Sequence, residues 1–460
     1  MELSRKKVLV IGAARSGVAA ARILRAVGAE TCLYDKKTAA ELEPEVAELQ
    51  DAGISLCLGR EPNLEEWLPE LAVISPGVPL SVPLVNALRR QGVEIIGELE
   101  LAWQLKAPAL EIMAVTGTNG KTTVTMLLEH ILCHSGRHAR AAGNVGAALC
   151  GVLSGMQQGI AVVEVSSFQL ETIRHFHPHI CGILNITEDH LDRHGDMDNY
   201  AAIKARVMEN QAAGDYAVLN YKDHYLRAMA PKTKAQVIWF SVHQQLPQGV
   251  FIRQEEIVMC HGNRCEVIIP QSELKLRGEH NLENVLCAVG MAWAQGVEPA
   301  QLRQALATFK GVRHRLEEIA DYQNVLFVND SKGTNPDSTD KALRAFERPI
   351  VLIAGGRAKG GDYSSLARLI AERVHALILV GEAREAIREK VCDAGLENIY
   401  MADDYEEVMD IAWRVARPGD VVLLSPACAS WDMFASYEVR GDLFCRLVKE
   451  KIEVGVPING

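Results

Sequence analysis

Short apolar runs recur along the chain, each followed by a stretch of helical periodicity. Among the first hundred residues the runs are KVLVIG, ETCLYD, LAVISPG and VEIIG, with helical stretches at 17–27 and 83–91. Runs that do not alternate with polar positions mark strands covered on both faces, so the pattern predicts parallel strands with crossover helices. After GELELAWQLKAPALE, where Pro108 interrupts the pattern, a second series follows: EIMAVTG to 117, IAVVEVSS to 167, HICGILNIT to 187 and DYAVLN to 220. Between 235 and 280 the texture changes to short alternating segments, AQVIWFSV, GVFIRQEEIVMC and RCEVIIP, which predict a small antiparallel appendage. The helix NLENVLCAVGMAWAQG closes this region near 311, and a third series, VLFVND, PIVLIAGG, HALILVG and GDVVLLSPA, runs to 427. The expected architecture is α/β in three domains, 1–99, 100–311 and 312–460.

Length agrees with that division, because one hydrophobic core seldom grows beyond about 250–300 residues and the chain has 460. A formal charge of −11 sets net repulsion against a nucleic-acid backbone, so a phosphate ligand has to be held by a local site. Most of the eleven cysteines sit inside apolar runs, as Cys133, Cys181 and Cys287 do, and read as small core residues in a reducing compartment. Cys260 and Cys265 flank HGNR, which reads as a hairpin turn rather than a metal site. The start RKKVLVIGAARSG imitates a secretory signal, but Arg15 cuts its apolar run. Nothing approaches the roughly 18 uninterrupted apolar residues of a membrane span. A cytoplasmic enzyme with no membrane span and no nucleic-acid partner is expected.

In doubly wound sheets ligands gather beyond the carboxyl ends of the strands, which directs attention to the residues just after each apolar run. Thr116 to Thr123 form TGTNGKTT, ahead of a helix whose first amides and dipole would face an anion, with Lys121 adding a full charge. The loop is shorter than the strict Walker A spacing: Gly117 and Gly120 enclose only Thr118 and Asn119. Glu164 ends the next run, where an acid can hold Mg²⁺, and His190 lies in the polar stretch NITEDHLDRHGDMDNY. The run HFHPH at 175–179 precedes its strand, at the opposite edge, and reads as surface. Lys204 falls in a helix capped by Asp196 or Asp198, with Tyr200, Ile203 and Val207 on its buried face; taken alone, it reads as solvated. A dehydrogenase reading of VLVIGAARSG fails at Ala14, where the dinucleotide fingerprint needs glycine, and NYKD at 220–223 has the guanine-recognition residues in the wrong order.

Taken in order, GTNGKTT, EVSSFQL, NITEDHLDRHG with YAAIKARV, GEHNLENVLCA, GVRHRLE, NDSKGTNPDST and LLSPACASWDMFASYEVRG resemble the Mur ligases across essentially the whole chain. The resemblance implies a Rossmann-like UDP-binding first domain, a central P-loop ATPase-like domain and a Rossmann-like third domain. It implies an ATP- and Mg²⁺-dependent amide ligase of peptidoglycan-precursor synthesis, nearest the branch that adds D-glutamate to UDP-N-acetylmuramoyl-L-alanine, and a monomer. Sister ligases with another acceptor, or a folylpolyglutamate synthase-like enzyme, are the alternatives.

The resemblance also implies roles for individual residues. Gly117, Thr118, Asn119, Gly120, Lys121, Thr122 and Thr123 would hold the ATP phosphates. Thr122 and Glu164 would ligate one Mg²⁺, and His190 a second, positioned by a CO₂-derived carbamate on Lys204. Asn284, Arg315 and Asp330, with Lys332 beside them, match nucleotide-binding positions, and Asn144 a position near the reacting acyl group. Thr334, Lys359, Ser430 and Tyr437 would meet the incoming glutamate; Tyr437 stands where the family pattern has Phe. Arg15, Ser16, Asp35, Lys36, Ser75 and Gly77 would hold the uridine substrate, with Ser166 also at the substrate.

Overall fold

The computed structural model describes residues 2–42, 44–276, 278–358 and 363–458. They form two compact units, one running to Leu274 and taking in His280–Phe309, the other comprising Lys275–Glu279 and the chain from Lys310 onward. Among the described residues the strands make three sheets, two in the first unit and one in the second.

The first sheet contains β1 (Lys7–Ile11), β2 (Glu30–Asp35), β3 (Ser55–Leu58), β4 (Leu71–Ile74) and β5 (Glu94–Gly97), all parallel, in the order β3-β2-β1-β4-β5. Strand order reverses at β1 and β4, so the crevice for a ligand opens where Gly12 and Ser75 follow those strands. β3 escapes the sequence pattern because it is an edge strand whose residues stay half exposed.

The second sheet contains β6 (Leu110–Thr116), β7 (Ala139–Gly143), β8 (Gly159–Glu164), β9 (Ile180–Ile183), β10 (Tyr216–Asn220), β11 (Gln236–Ser241), β12 (Gly249–Arg253), β13 (Glu256–His261) and β14 (Arg264–Pro270). Its order is β14-β13-β12-β11-β10-β9-β6-β8-β7. The expected appendage is therefore no separate body. β11 pairs parallel with β10 and with β12, and the antiparallel pairings are those of β12 with β13 and of β13 with β14, a meander. GVFIRQEEIVMC, one segment in the pattern, is a hairpin turning at Gln254 and Glu255, both left-handed. Cys260 and Cys265 face each other across the next hairpin, as expected of HGNR, but they are joined as a disulfide, unlike the reduced core cysteines anticipated.

The third sheet contains β15 (Glu317–Tyr322), β16 (Val325–Asn329), β17 (Ile350–Gly355), β18 (Val374–Val380), β19 (Ile399–Met401) and β20 (Val421–Leu424), ordered β15-β16-β20-β17-β18-β19. β15 is an antiparallel edge strand and its alternating, half-exposed residues hide it from a search for apolar runs.

The first two sheets share one core. Ala20, Ala21 and Leu24 on the helix Arg15–Ala26, Leu99 and Leu101 on the helix Glu98–Leu105, and Leu149 and Leu153 belong to a single buried cluster. The expected boundary at 99/100 falls inside the second of these helices. Among the described residues no helix is long and apolar enough to cross a membrane.

Candidate functional site

β6 delivers the shortened loop. Gly117 and Gly120 hold φ of 146° and 85°, which lets four residues turn from strand into the helix Lys121–His134. A Cβ at Gly120 would lie 2.1 Å from Asn284 Oδ1, so the loop is pressed against that side chain. Gly120→Ala is expected to cost about 1–2 kcal/mol from the left-handed backbone alone and to displace Asn284. Nucleotide titration by calorimetry should show binding weakened at least tenfold; unchanged affinity would refute this role for the close approach.

The loop is tied to the ends of neighbouring strands. Thr118 N donates to Asn185 O at 2.9 Å and Asn119 N to Asn185 Oδ1 at 2.9 Å. Thr118 Oγ1 lies 3.2 Å from Tyr200 Oη and accepts from Thr187 N at 3.0 Å. Lys121 Nζ donates back to Gly117 O and Thr118 O, at 2.9 and 2.8 Å. Asn185, the first residue of the polar stretch that contains His190, has no role among the sequence-based expectations. Tyr200 was expected only as packing.

Lys204 is placed where isolated-residue logic would not put it. Its side chain is 1% exposed, donates from Nζ to Gly117 O at 2.8 Å and lies 4.7 Å above the Tyr200 ring. Burial pulls the amine well below the usual lysine range, Lys121 adds to the effect, and Asp189 opposes it. Its helix is Met197–Ala205, and Asp196, of the two candidates, is the cap. Ile203 packs against the core as expected, though only partly buried, and Lys204 beside it is more deeply buried.

Glu164, at the end of β8, is 2% exposed. Asn144 Nδ2 donates to its Oε1 at 2.9 Å, and Oε2 is buried without a hydrogen-bond partner. An orphaned carboxylate oxygen costs about 1–3 kcal/mol, and here it is the donor a hard cation would take. Thr122, also buried, opens the helix of the loop. Together they fit a Mg²⁺ site.

His190 is left-handed, half exposed, 3.5 Å from Asp189, and its ring lies tilted against Phe168 with centroids 4.8 Å apart. Among the described residues no group of three His, Cys, Asp or Glu could hold a metal ion, so a second metal there needs a further ligand. Ser166 closes a capping box with Gln169 on the short helix Ser167–Leu170. In the run at 175–179, His177 and His179 both bond the Asp215 carboxylate, at 2.6 and 2.7 Å; both are partly exposed, as expected of surface.

Of the residues expected to hold the uridine substrate, Arg15, Ser16, Asp35, Ser75 and Gly77 line a cavity of about 1340 Å³, together with Asn144. Asp35 is committed to the backbone, accepting from Ala13 N at 2.7 Å and Lys37 N at 2.9 Å. Of the two lysines that follow, Lys37 lines the cavity, while Lys36 is exposed and absent from its lining.

In the second unit, the ends of β16 and β20 converge. Ser425 Oγ donates to Asp330 Oδ2 at 2.7 Å, and burial pushes the Asp330 carboxyl up to about 6 against that bond and the Arg315 charge. Lys332 Nζ sits 5.5 Å over the Tyr437 ring, and its amide bonds His314 O. Thr334 N bonds Lys332 O, Ser430 is buried, and Tyr437 begins the helix Tyr437–Glu453. Lys359 lies outside the described residues. Arg440, in the motif LLSPACASWDMFASYEVRG, is 1% exposed and bonds Ser331 Oγ, Ser331 O and Cys428 O, pinning both strand ends.

Residues 6–97 match the family model "Mur ligase MurD-like, N-terminal domain", residues 115–292 "Mur ligase middle domain", and residues 314–428 "Mur ligase, glutamate ligase domain". Curated relatives called UDP-N-acetylmuramoylalanine--D-glutamate ligase include one from Pelotomaculum thermopropionicum, 47% identical over 97% of this chain and 98% of its own. Another, from Clostridioides difficile, is 39% identical over 96% of this chain and 98% of its own. Among solved structures, the UDP-N-acetylmuramate-alanine ligase of Thermotoga maritima superposes with a TM-score of 0.60 at 19% identity, covering 98% of this chain and all of that one. A pseudomurein peptide ligase type C from Methanothermus fervidus gives 0.58 at 17%, covering 97% of this chain and 100% of its own.

Proposed function

Since the chain belongs to the Mur ligase family, we propose that it joins D-glutamate to UDP-N-acetylmuramoyl-L-alanine at the expense of ATP, as a cytoplasmic monomer. The observation that carries the reaction class is the juxtaposition of a short phosphate loop, tied to neighbouring segments by Thr118 and Asn119 and braced internally by Lys121, with the orphaned oxygen of Glu164. The acceptor choice rests on the full-length likeness to relatives of that name.

A carboxylate is a poor electrophile. Its oxygen attacks the γ-phosphoryl group, the bond to ADP breaks, and the acyl phosphate presents a carbon that the glutamate amine attacks, expelling phosphate. In this chain the loop amides and Lys121 would hold the phosphates, and Asn144, which bonds Glu164 and lines the cavity, would meet the reacting acyl group. Mg²⁺, held by Thr122 and Glu164, would supply charge against the transferring phosphoryl group. A second Mg²⁺ would take His190 and Lys204, the latter as a carbamate: the neutral amine adds to CO₂, an N–C bond forms and a proton leaves to water. The lowered basicity and burial of Lys204 support that reading. Thr334, Lys359, Ser430 and Tyr437 would receive the glutamate carboxylates, and Asn284, Arg315, Asp330 and Lys332 the nucleotide. Domain bounds of 1–99, 100–311 and 312–460 remain part of this reading.

The test supplies purified protein with UDP-N-acetylmuramoyl-L-alanine, Mg-ATP and single amino acids, and measures phosphate release. D-glutamate should exceed every other acceptor by at least about a hundredfold in kcat/KM. Faster turnover with L-alanine or a diamino acid would transfer the chain to a sister activity.

A further inference from the structure

Two buried acids stand two positions apart on the helix Glu98–Leu105, and neither is among the residues given a role above. Glu100, fully buried, accepts from the backbone amides of Arg174, His175 and Phe176 at 2.8–3.0 Å, stapling this helix to the turn before β9. Gly97, just before the helix, approaches the same region so closely that a Cβ would lie 2.2 Å from Thr172 Oγ1. Glu98, 1% exposed, reaches elsewhere: its Oε1 accepts from Cys150 N at 2.6 Å, and Cys150 Sγ approaches Glu98 O at 3.6 Å. Its Oε2 is buried without a partner. A carboxyl would not be spent here for charge, since burial raises it above the usual carboxylate range.

What Glu98 holds is the segment that carries Asn144. From Gly143 the chain turns sharply: Gly143 N bonds Ala147 O, Asn144 N bonds Glu164 O at 3.0 Å, and a Cβ at Gly143 would lie 2.3 Å from Glu164 O. Arg15 reaches the middle of the segment through Gly146 O at 3.2 Å. The segment is thus clamped at its start by Glu164 and at its end, at Cys150, by Glu98.

We propose that Glu98 is a positioning residue for the ligation reaction, its hydrogen bond to the Cys150 amide setting the place of Asn144 beside the acyl end of the substrate. This rests on the reading of Asn144 given above. Glu100 supplies the contrast: it is as buried and on the same helix, but it bonds the amides of Arg174, His175 and Phe176 rather than the segment that carries Asn144.

Three variants decide it. Glu98→Gln keeps an oxygen within reach of the Cys150 amide; Glu98→Asp withdraws it by one carbon–carbon bond; Glu100→Gln disturbs the other staple. Glu98→Asp should lower kcat about tenfold or more while KM for ATP stays within about twofold, and Glu98→Gln should recover most of the rate. Glu100→Gln should lower Tm without a comparable loss of kcat. Parent-like kcat in Glu98→Asp, or equal losses in Glu98→Gln and Glu98→Asp, overturns the inference. Should Glu98→Asp not fold, hydrogen exchange on Glu98→Gln takes its place: a protected Cys150 amide with parent-like turnover supports the role, and a protected amide with a tenfold slower enzyme overturns it. Asn144→Ala runs alongside. If it turns over as the parent, the reading of Asn144 fails and this inference with it; if it is slow beside an unimpaired Glu98→Asp, this inference alone fails.

Discussion

Replacing Lys204 by alanine should remove most ligase activity, on the order of a hundredfold or more in kcat, and millimolar formate or acetate should restore part of it. The geometry gives the reason. Lys204 is buried against the Tyr200 ring, its amine touches the carbonyl of the first loop glycine, and Lys121 stands close enough to depress its basicity. A permanent cation in that position would repel Lys121 and any metal. A neutral amine that has taken up CO₂ would instead present an anionic oxygen pair where Asp189 and His190 come near without completing a metal site. Truncation to alanine leaves space for a small carboxylate to occupy. Rescue by alkylamines but not by carboxylic acids would mean that the cation itself is the working form, and would remove the carbamate from the reading.

The second large effect is expected at Glu164. Glu164→Gln keeps the acceptor for Asn144 Nδ2, because the amide oxygen can occupy the Oε1 position, and exchanges the orphaned oxygen for an amide nitrogen that cannot ligate a cation. Turnover should fall by about a hundredfold or more, and the Mg²⁺ concentration for half-maximal rate should rise. Stability should move the other way or stay level, since the substitution removes a buried negative charge whose second oxygen has no protein partner. Thermal melting without metal, compared with Mg²⁺ titration of the rate, separates these outcomes. An enzyme with an unchanged Mg²⁺ requirement would show that the orphaned oxygen faces nothing that the reaction uses. A fall in Tm comparable to the loss of rate would make Glu164 a structural anchor.

The strand-end rule picked out from the sequence most of the candidate residues that the fold of the first unit brings together, because buried parallel strands are nearly all apolar and the polar residues that follow them are conspicuous. Gly117 to Thr123, Glu164 and the stretch around His190 were legible in this way. The same rule overlooked β3, β7 and β15, where edge position or small residues dilute the apolar signal. It also treated GELELAWQLKAPALE as a passage between domains. Glu98 and Glu100 in it are among the most deeply buried acids of the described residues, and no local pattern announces an acid whose partners lie dozens of residues away, as Cys150 and Phe176 do.

By itself, the sequence determined the α/β layering, the order of the motifs and the residue types at the strand ends, since these follow from periodicity over neighbouring positions. Only the tertiary structure decided that Lys204 is buried rather than solvated, that Glu164 keeps one oxygen free, that Lys37 rather than Lys36 lines the cavity, and that the first two sheets share a core. Burial and hydrogen-bond satisfaction depend on which distant segments the fold brings against a side chain, and that information is not carried by the residues beside it in the chain.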